Sequence, residues 1–290
     1  KEINAGPYPY SVSVLIDLDK IQDINIDTDI INPIHTNDLK VIVVDIKDAR
    51  ISHLLKPLYN LALSGVQFSS FDDVYEQVFG RVPLSTLNHG WFLENIKTAP
   101  RALYDSSKKV VDIVLASILF IFTLPLYPVV SLLIKNDGTK DSIFFLQERV
   151  GKDNKPFKVI KFRSMTGEGA SKRVTAVGNF LRKTRVDEIP QLINVMKGEM
   201  ALIGPRPEMP NLVAVYENEI PFYSVRHLVT PGLSGWAQIY QDNHPHHSAD
   251  QIATKEKLSY DLFYIKHRSL GLDLRIALFT LKTLLSRKGK

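Results

Sequence analysis

Residues Val110–Ile134 read VVDIVLASILFIFTLPLYPVVSLLI, 25 residues with a single charge, Asp112. As one straight helix they would extend about 37 Å at 1.5 Å per residue, enough to cross the hydrocarbon core of a bilayer. Two features argue instead for a helix that enters and returns. Pro125 and Pro128 fall near the middle, where each removes a backbone donor and tends to kink the helix. Lys108 and Lys109 precede the run, and Lys135 and Lys140 follow it. Positive charge marks the cytoplasmic side, and here both flanks carry it. We therefore expect residues 110–135 to form a re-entrant membrane hairpin broken at Pro125 and Pro128, rather than a spanning helix or a buried core helix.

The charge changes sign close to this run. The whole chain of 290 residues has a formal charge of +5, but residues 1–107 hold 9 basic and 14 acidic side chains, and residues 108–290 hold 27 and 17. The basic part should face something anionic: a nucleotide, a phospholipid or a nucleic acid. No nucleic-acid motif is present and the aromatics are not interleaved with the cations, so nucleic acid is not expected as a partner. The chain has no cysteine, which excludes disulfides and thiolate metal sites and suits a cytoplasmic-facing protein. It begins with Lys1, so a piece of a longer protein is expected.

Upstream, Ser11–Leu18 alternates and then runs apolar, which suggests a strand. Lys40–Asp45 (KVIVVD) has the β-branched character of a buried parallel strand, a helical pattern covers Ala49–Ala62, and Val66–Phe68 reads as the next strand. This rhythm predicts a small parallel α/β domain, Rossmann-like but degenerate, over residues 1–100. No glycine fingerprint follows either strand, so a dinucleotide site is unsupported. Residues 101–109 are read as a linker.

Downstream, residues 136–290 should form a mostly helical α+β domain. Phe144–Arg149 and Pro156–Met165 alternate as strands, and the second brings Lys161, Arg163 and Ser164 together, a combination that suits phosphate. The polar segment Thr166–Arg173 is a loop. Val174–Arg185 follows as a basic helix with Val177, Phe180 and Leu181 inward. In TRVDEIPQLINVMKGEMALIGPRP (Thr184–Pro207), Ile189, Leu192, Ile193 and Met196 repeat at helical spacing and Lys197-Gly198 reads as a helix stop. Asp187 falls where an N-cap belongs, with Glu188 beside it and Pro190 in the first turn. On spacing alone the pair is a cap and its support; a nucleophile beside Arg182, Lys183 and Arg185 is the other reading. Arg206 stands between Pro205 and Pro207. His244, His246 and His247 match no standard zinc spacing and are read as a surface loop. Asp273–Lys290 is a basic amphipathic helix, with Leu274, Ile276, Ala277, Leu281, Leu284 and Leu285 on one face, suited to an anionic membrane surface or to the core.

Taken together, FFLQERVGKDNKPFKVIKFRSM, RVDEIPQLINVMKGEMALIGPRP, TPGLSGWAQ and KLSYDLFYIKHRSLGLDL, in this order after the apolar hairpin, resemble the bacterial sugar transferase family of monotopic polyprenyl-phosphate phosphoglycosyl transferases. The resemblance covers Lys108 to Leu285, and the upstream region resembles that of larger members, which carry further transmembrane helices. It implies transfer of a sugar-1-phosphate from a UDP-sugar to a polyprenyl (undecaprenyl) phosphate at the cytoplasmic face of a bacterial inner membrane, initiating exopolysaccharide, capsule or O-antigen synthesis. The family's nucleophile matches Asp187, which would also meet Mg2+, and its partner glutamate matches Glu188. Arg206, oriented by Pro205 and Pro207, is the expected phosphate clamp, with Lys161, Arg163 and Arg185 as further contacts. Membrane lipids are implied partners, and a homo-oligomer is compatible with the pattern. The chain departs from the family at Leu124-Pro125, where Ser-Pro is common, at Thr230, where Arg is common, and after GWAQ, which bears on donor preference. The non-enzymatic alternative is a membrane scaffold that binds anionic lipid.

Overall fold

In a computed structural model, which describes residues 2–6, 8, 10–17, 25–45, 48–96, 102–137, 141–167, 173–241 and 250–286, the chain divides into two units, Lys1–Leu87 and Asn88–Lys290. The three histidines, the middle of the 166–173 loop, Lys140 and Arg287–Lys288 lie outside the described residues.

In the first unit, α1 (Glu2–Ala5) and α2 (Asn32–Thr36) precede β1 (Val41–Val43). A 3-10 turn over Ala49–Leu54 leads into α3 (Leu55–Leu63), and β2 (Gln67–Ser69) returns parallel to β1, with Val41 facing Gln67 and Val43 facing Ser69. The helical signal begins where the Asp48 carboxylate accepts the Arg50 N–H. Ile34, Ile51, Leu54, Leu58 and Leu61 form the core, with Ile42 and Phe68 packed against it. After β2, α4 (Phe71–Phe79) is capped by Ser70. The β-α-β rhythm is present, but a Rossmann-like sheet is not: β1 and β2 make a two-stranded sheet among the described residues. The strand expected over Ser11–Leu18 is absent through residue 17. Val12 there has its N–H accepted by Asn4 Oδ1 at 2.7 Å and its carbonyl bonded by Asn4 Nδ2 at 2.9 Å. One asparagine thus satisfies the backbone groups that a neighbouring strand would otherwise take.

The second unit opens with α5 (His89–Asn95), capped by Asn88, and α6 (Ala102–Thr123). α6 begins ahead of the apolar run, so residues 102–109 are its first turns and not a linker. α7 (Leu126–Asn136) follows at 60° to α6, and among the described residues no single helix is long and apolar enough to cross a membrane. Pro125 sits at the break, whereas Pro128 lies in the first turn of α7, where no intrahelical donor is required. Thr123 Oγ1 donates to the carbonyls of Leu119 and Phe120 at 2.9 and 3.1 Å, so a hydroxyl serves the break although the residue before Pro125 is leucine. The lone charge of the run is paired: Lys108 Nζ lies 3.2 Å from Asp112 and 3.1 Å from Asp273. Ala116 of α6 packs against Val159, Leu192, Val195 and Met200, while Val130 and Ile134 of α7 pack with Phe162 and Leu181. The other faces stay apolar and exposed, with Ile121 at 64%, Phe122 at 78% and Leu132 at 62%.

β3 (Phe144–Val150) and β4 (Pro156–Phe162) form an antiparallel hairpin in continuous register, Phe144 facing Phe162 and Val150 facing Pro156. Short β5 (Met165–Thr166) and β6 (Arg173–Val174) lead to α8 (Ala176–Lys183), capped by Thr175. Leu181 is buried on α8, but Phe180, expected inward, is exposed. Past α8 come a 3-10 turn over Val186–Gln191, α9 (Leu192–Met196) and β7 (Ala201–Ile203). α10 (Pro210–Glu219) and a 3-10 turn over Tyr223–Leu228 precede β8 (Gly232–Ser234), which pairs in parallel with β7. α11 (Trp236–Tyr240), α12 (Gln251–His267) and α13 (Leu270–Leu285) complete the unit. The glycines of TPGLSGWAQ have a steric cause: a Cβ on Gly232 would lie 2.1 Å from the Gly204 nitrogen, and one on Gly235 2.2 Å from the Gly204 oxygen. That loop therefore lies directly on the backbone leading into Pro205.

On α13 the expected apolar face divides. Ile276 is fully buried, but Leu270, Leu274, Leu278, Leu281 and Leu284 are all exposed. The leucine row is not packed on the core.

Candidate active site

Arg185 adopts a left-handed backbone conformation, φ 56°, which ends the path of α8 and starts the turn bearing the acidic pair. Asp187 is inside that turn and not its cap. The N-cap position is held by Arg185, whose side chain makes no capping bond. Pro190 supplies the reason: it has no N–H to continue an α-helical ladder, so residues 186–191 tighten into a 3-10 turn and the α-helix resumes at Leu192. Lys197 and Gly198, with φ +77° at the glycine, end the helix as its composition predicts.

Glu188 is the hub. Its Oε1 accepts from Lys161 Nζ of β4 at 2.9 Å and from Arg206 Nη2 at 2.7 Å, and Arg185 Nη1 lies 3.9 Å from its Oε2. Burial opposes its charge, yet the Arg206 guanidinium and the Lys161 ammonium outweigh burial and hold its carboxyl well below the usual carboxylate range. The Glu188 carboxylate in turn raises Arg206 above its ordinary value, whereas burial pulls Lys161 down against the same carboxylate. Asp187 is in a different state. It is buried, its carboxylate makes no hydrogen bond among the described residues, and burial followed by the neighbouring Glu188 charge pushes it up to about 6, against Lys161, Arg182 and Arg206. At pH 7 it is therefore mostly ionised and unpartnered, beside a carboxylate that is fully engaged.

The strand that delivers Lys161 is pinned to the helix that follows the pair. Asn194, fully buried on α9, accepts the Ile160 N–H at 3.0 Å and donates to Lys158 O at 2.8 Å and to Glu199 Oε2 at 2.7 Å. Its side chain acts as one further strand position beside β4.

A second buried layer lies behind Arg206. Arg226 Nη2 donates to the Arg206 carbonyl at 2.8 Å and lies 2.9 Å from Asp261 Oδ2, and its Nη1 donates to Tyr223 OH at 2.6 Å. Arg149 Nη1 donates to the Pro207 carbonyl at 3.2 Å, and Gly232 N–H donates to the Pro205 carbonyl at 2.9 Å. Glu208 pairs with Lys257 and with Arg149, and against burial Lys257, the nearby Arg226 and Arg149 together hold it down to about 2. Across both layers, Arg149, Lys161, Arg206, Arg226 and Lys257 face Asp187, Glu188, Glu208 and Asp261, an excess of positive charge that suits an anionic ligand.

The structure thus brings Asp187, Glu188, Lys161, Arg185 and Arg206 together, with Pro205 and Pro207 holding the segment on either side of Arg206. Arg163 goes elsewhere: its Nε donates to Ser142 O at 2.5 Å, Nη1 lies 3.5 Å from Asp141, and the guanidinium stacks over Phe145. Pro125 and Pro128 belong to the helix break. Sequence reasoning did not find Asn194, Arg226, Asp261, Glu208 and Lys257. A carboxylate in mid-helix among apolar neighbours, as in YDLFYI, was the available signal for Asp261.

Comparison with known proteins matches the model of the family described as bacterial sugar transferase to residues 103–287. The chain is 36% identical over 259 residues to a UDP-N-acetylgalactosamine-undecaprenyl-phosphate N-acetylgalactosaminephosphotransferase of Aeromonas hydrophila, covering 86% of this chain and 59% of that protein. It is 40% identical over 184 residues to a UDP-glucose:undecaprenyl-phosphate glucose-1-phosphate transferase of Klebsiella pneumoniae, covering 60% and 39% respectively. A putative undecaprenyl-phosphate N-acetylgalactosaminyl 1-phosphate transferase of Bacillus subtilis is 44% identical over 135 residues, covering 43% and 75%. The chain spans between about two fifths and three fifths of the length of the first two.

Proposed function

Because this chain belongs to the bacterial sugar transferase family, we propose that it moves a sugar-1-phosphate from a UDP-sugar to a polyprenyl phosphate such as undecaprenyl phosphate, in two displacements at Asp187. In the first, an Asp187 carboxylate oxygen attacks the sugar-bearing phosphorus, the bond to the UMP oxygen breaks, and a phosphosugar remains on the carboxylate. In the second, a phosphate oxygen of the lipid attacks the same phosphorus and Asp187 leaves as a carboxylate. Dividing the transfer lets two bulky substrates use one site in turn. The observation that carries this reading is the contrast within the acidic pair: Asp187 is buried, unpartnered and raised to about 6, while Glu188 is saturated by cations. A carboxylate as depressed as Glu188 is a poor base, so its role is to hold Lys161 and Arg206 in position for the phosphates.

The residues fit a magnesium ion of one kind only. Among the described residues no group of three or more His, Asp or Glu side chains could cage a metal. One carboxylate, the buried Asp187 with no hydrogen bond of its own among those residues, fits an ion that takes its remaining oxygens from a diphosphate and water, as Mg2+ does. When bound there, it would neutralise diphosphate charge and favour the ionised form of Asp187.

Membrane association is supported by the bent apolar pair α6–α7 and by the exposed leucine row of α13, both of which offer apolar surface to lipid, and the lysines on both flanks of the pair favour its cytoplasmic face. The scaffold alternative, in which the acidic pair would only cap a helix, is less favoured because the cap position belongs to Arg185. The deciding experiment is UMP release from a panel of UDP-sugars with and without polyprenyl phosphate. Donor alone should add the mass of one phosphosugar to the chain. An unmodified chain after incubation with every donor, together with no UMP, would sink the reading.

A further inference from the structure

Behind the acidic pair, the Arg206 guanidinium depends on a backbone segment with few bonds of its own. Pro205 and Pro207 lack N–H donors, so their neighbourhood is held through its carbonyls. Three donors take them: Gly232 N–H on Pro205, Arg226 Nη2 on Arg206 and Arg149 Nη1 on Pro207. Of these, Arg226 reaches the residue that matters. It is 3% exposed and engages Asp261, Tyr223 and Arg206 O at once, which only the fork of a guanidinium can do.

We propose that Arg226, braced by Asp261 and Tyr223, is a positioning residue that holds the Arg206 carbonyl and thereby fixes the Arg206 guanidinium against Glu188. Arg226 does not touch the reacting atoms; it acts through Arg206. The inference rests on the transferase reading for its kinetic consequence but not for its structural one. A lysine at 226 keeps the charge beside Asp261, yet its single ammonium on a different stem cannot reproduce the three-way fork. Arg206 then samples orientations away from Glu188, and turnover falls more than donor binding.

The test uses the full chain in its membrane fraction and four proteins: wild type, Arg226→Lys, Arg206→Lys and the double variant. Arg226→Lys should lower kcat for UMP release about 10–100-fold with the donor KM within about threefold. In the Arg206→Lys background the same change should cost less than about threefold, because its target is already gone. An equal loss in both backgrounds, or an unchanged kcat in Arg226→Lys, overturns the proposal. Hydrogen exchange supplies a readout independent of activity. The amides of Gly204 and Gly232, bonded to Ser234 O and Pro205 O, should exchange about tenfold faster in Arg226→Lys. Unchanged exchange there also overturns it. If wild type releases no UMP from any donor, the transferase reading fails while exchange still decides the positioning role. Should Arg226→Lys not fold, Tyr223→Phe removes one brace without removing a charge, and it should show the same pattern at about 3–10-fold.

Discussion

Asp187 carries two consequences of one environment. Its raised value means that its ionisation works against folding. The cost is absent below about pH 4, grows as pH rises and is complete above about pH 6, between the ordinary value of 3.8 and the folded one. Asp187→Asn should therefore abolish UMP release and phosphosugar labelling, and at pH 7.5 it should stabilise the protein by about 1–3 kcal/mol, fading below pH 4. Thermal melting at the two pH values checks the sign; a variant less stable at pH 7.5 contradicts the assigned environment. The same group sets an acid limb on activity. The kcat/KM for donor should fall about tenfold per unit below about pH 6, and a flat profile down to pH 5 would count against an Asp187 nucleophile. At this scale the sequence marked Asp187, Glu188, Lys161 and Arg206 as the residues to watch. It could not mark Arg226, because Arg226-His227 reads as an ordinary polar pair until burial is known.

Elements matter here through the residues that lock them together. Asn194 ties α9 to β4 and so sets where Lys161 meets Glu188. Asn194→Leu would leave the Ile160 N–H and Lys158 carbonyl without that partner, at a cost of about 2–4 kcal/mol in stability. Denaturant unfolding measures it, and a change below about 0.5 kcal/mol would show that β4 does not need the bond. The β3 and β4 strands, the β-α-β unit and the helix stop at Gly198 were legible from alternation, periodicity and glycine, whereas the strand expected over Ser11–Leu18 did not form through residue 17 and β7 and β8 went unread. The 3-10 turn at 186–191 was not, because a left-handed Arg185 has no sequence signature and Pro190 is equally acceptable in the first turn of an α-helix. Phe180 misled for a related reason: helical periodicity locates a face, but not what lies opposite it.

For the whole molecule, the α6–α7 bend and the α13 leucine row make two separable predictions. Cysteines at Ser107 and Asn136, introduced into this cysteine-free chain, should react with an impermeant label from the same side of sealed vesicles. Labelling from opposite sides would restore a spanning helix. Leu274→Glu, Leu278→Glu and Leu281→Glu combined should lower binding to anionic vesicles at least about tenfold while leaving the melting temperature nearly unchanged, since these side chains already face outward. The sequence by itself determined the apolar hairpin with its break at Pro125, the β-α-β unit and the order of the motifs, because periodicity and proline chemistry act locally. Only the tertiary structure decided that Lys108 is shared between Asp112 and the distant Asp273, that the α13 leucines face away from the core, and that Glu188 is bonded by cations while Asp187 is not. Those outcomes depend on burial and on charges brought from distant segments, and no local pattern encodes either.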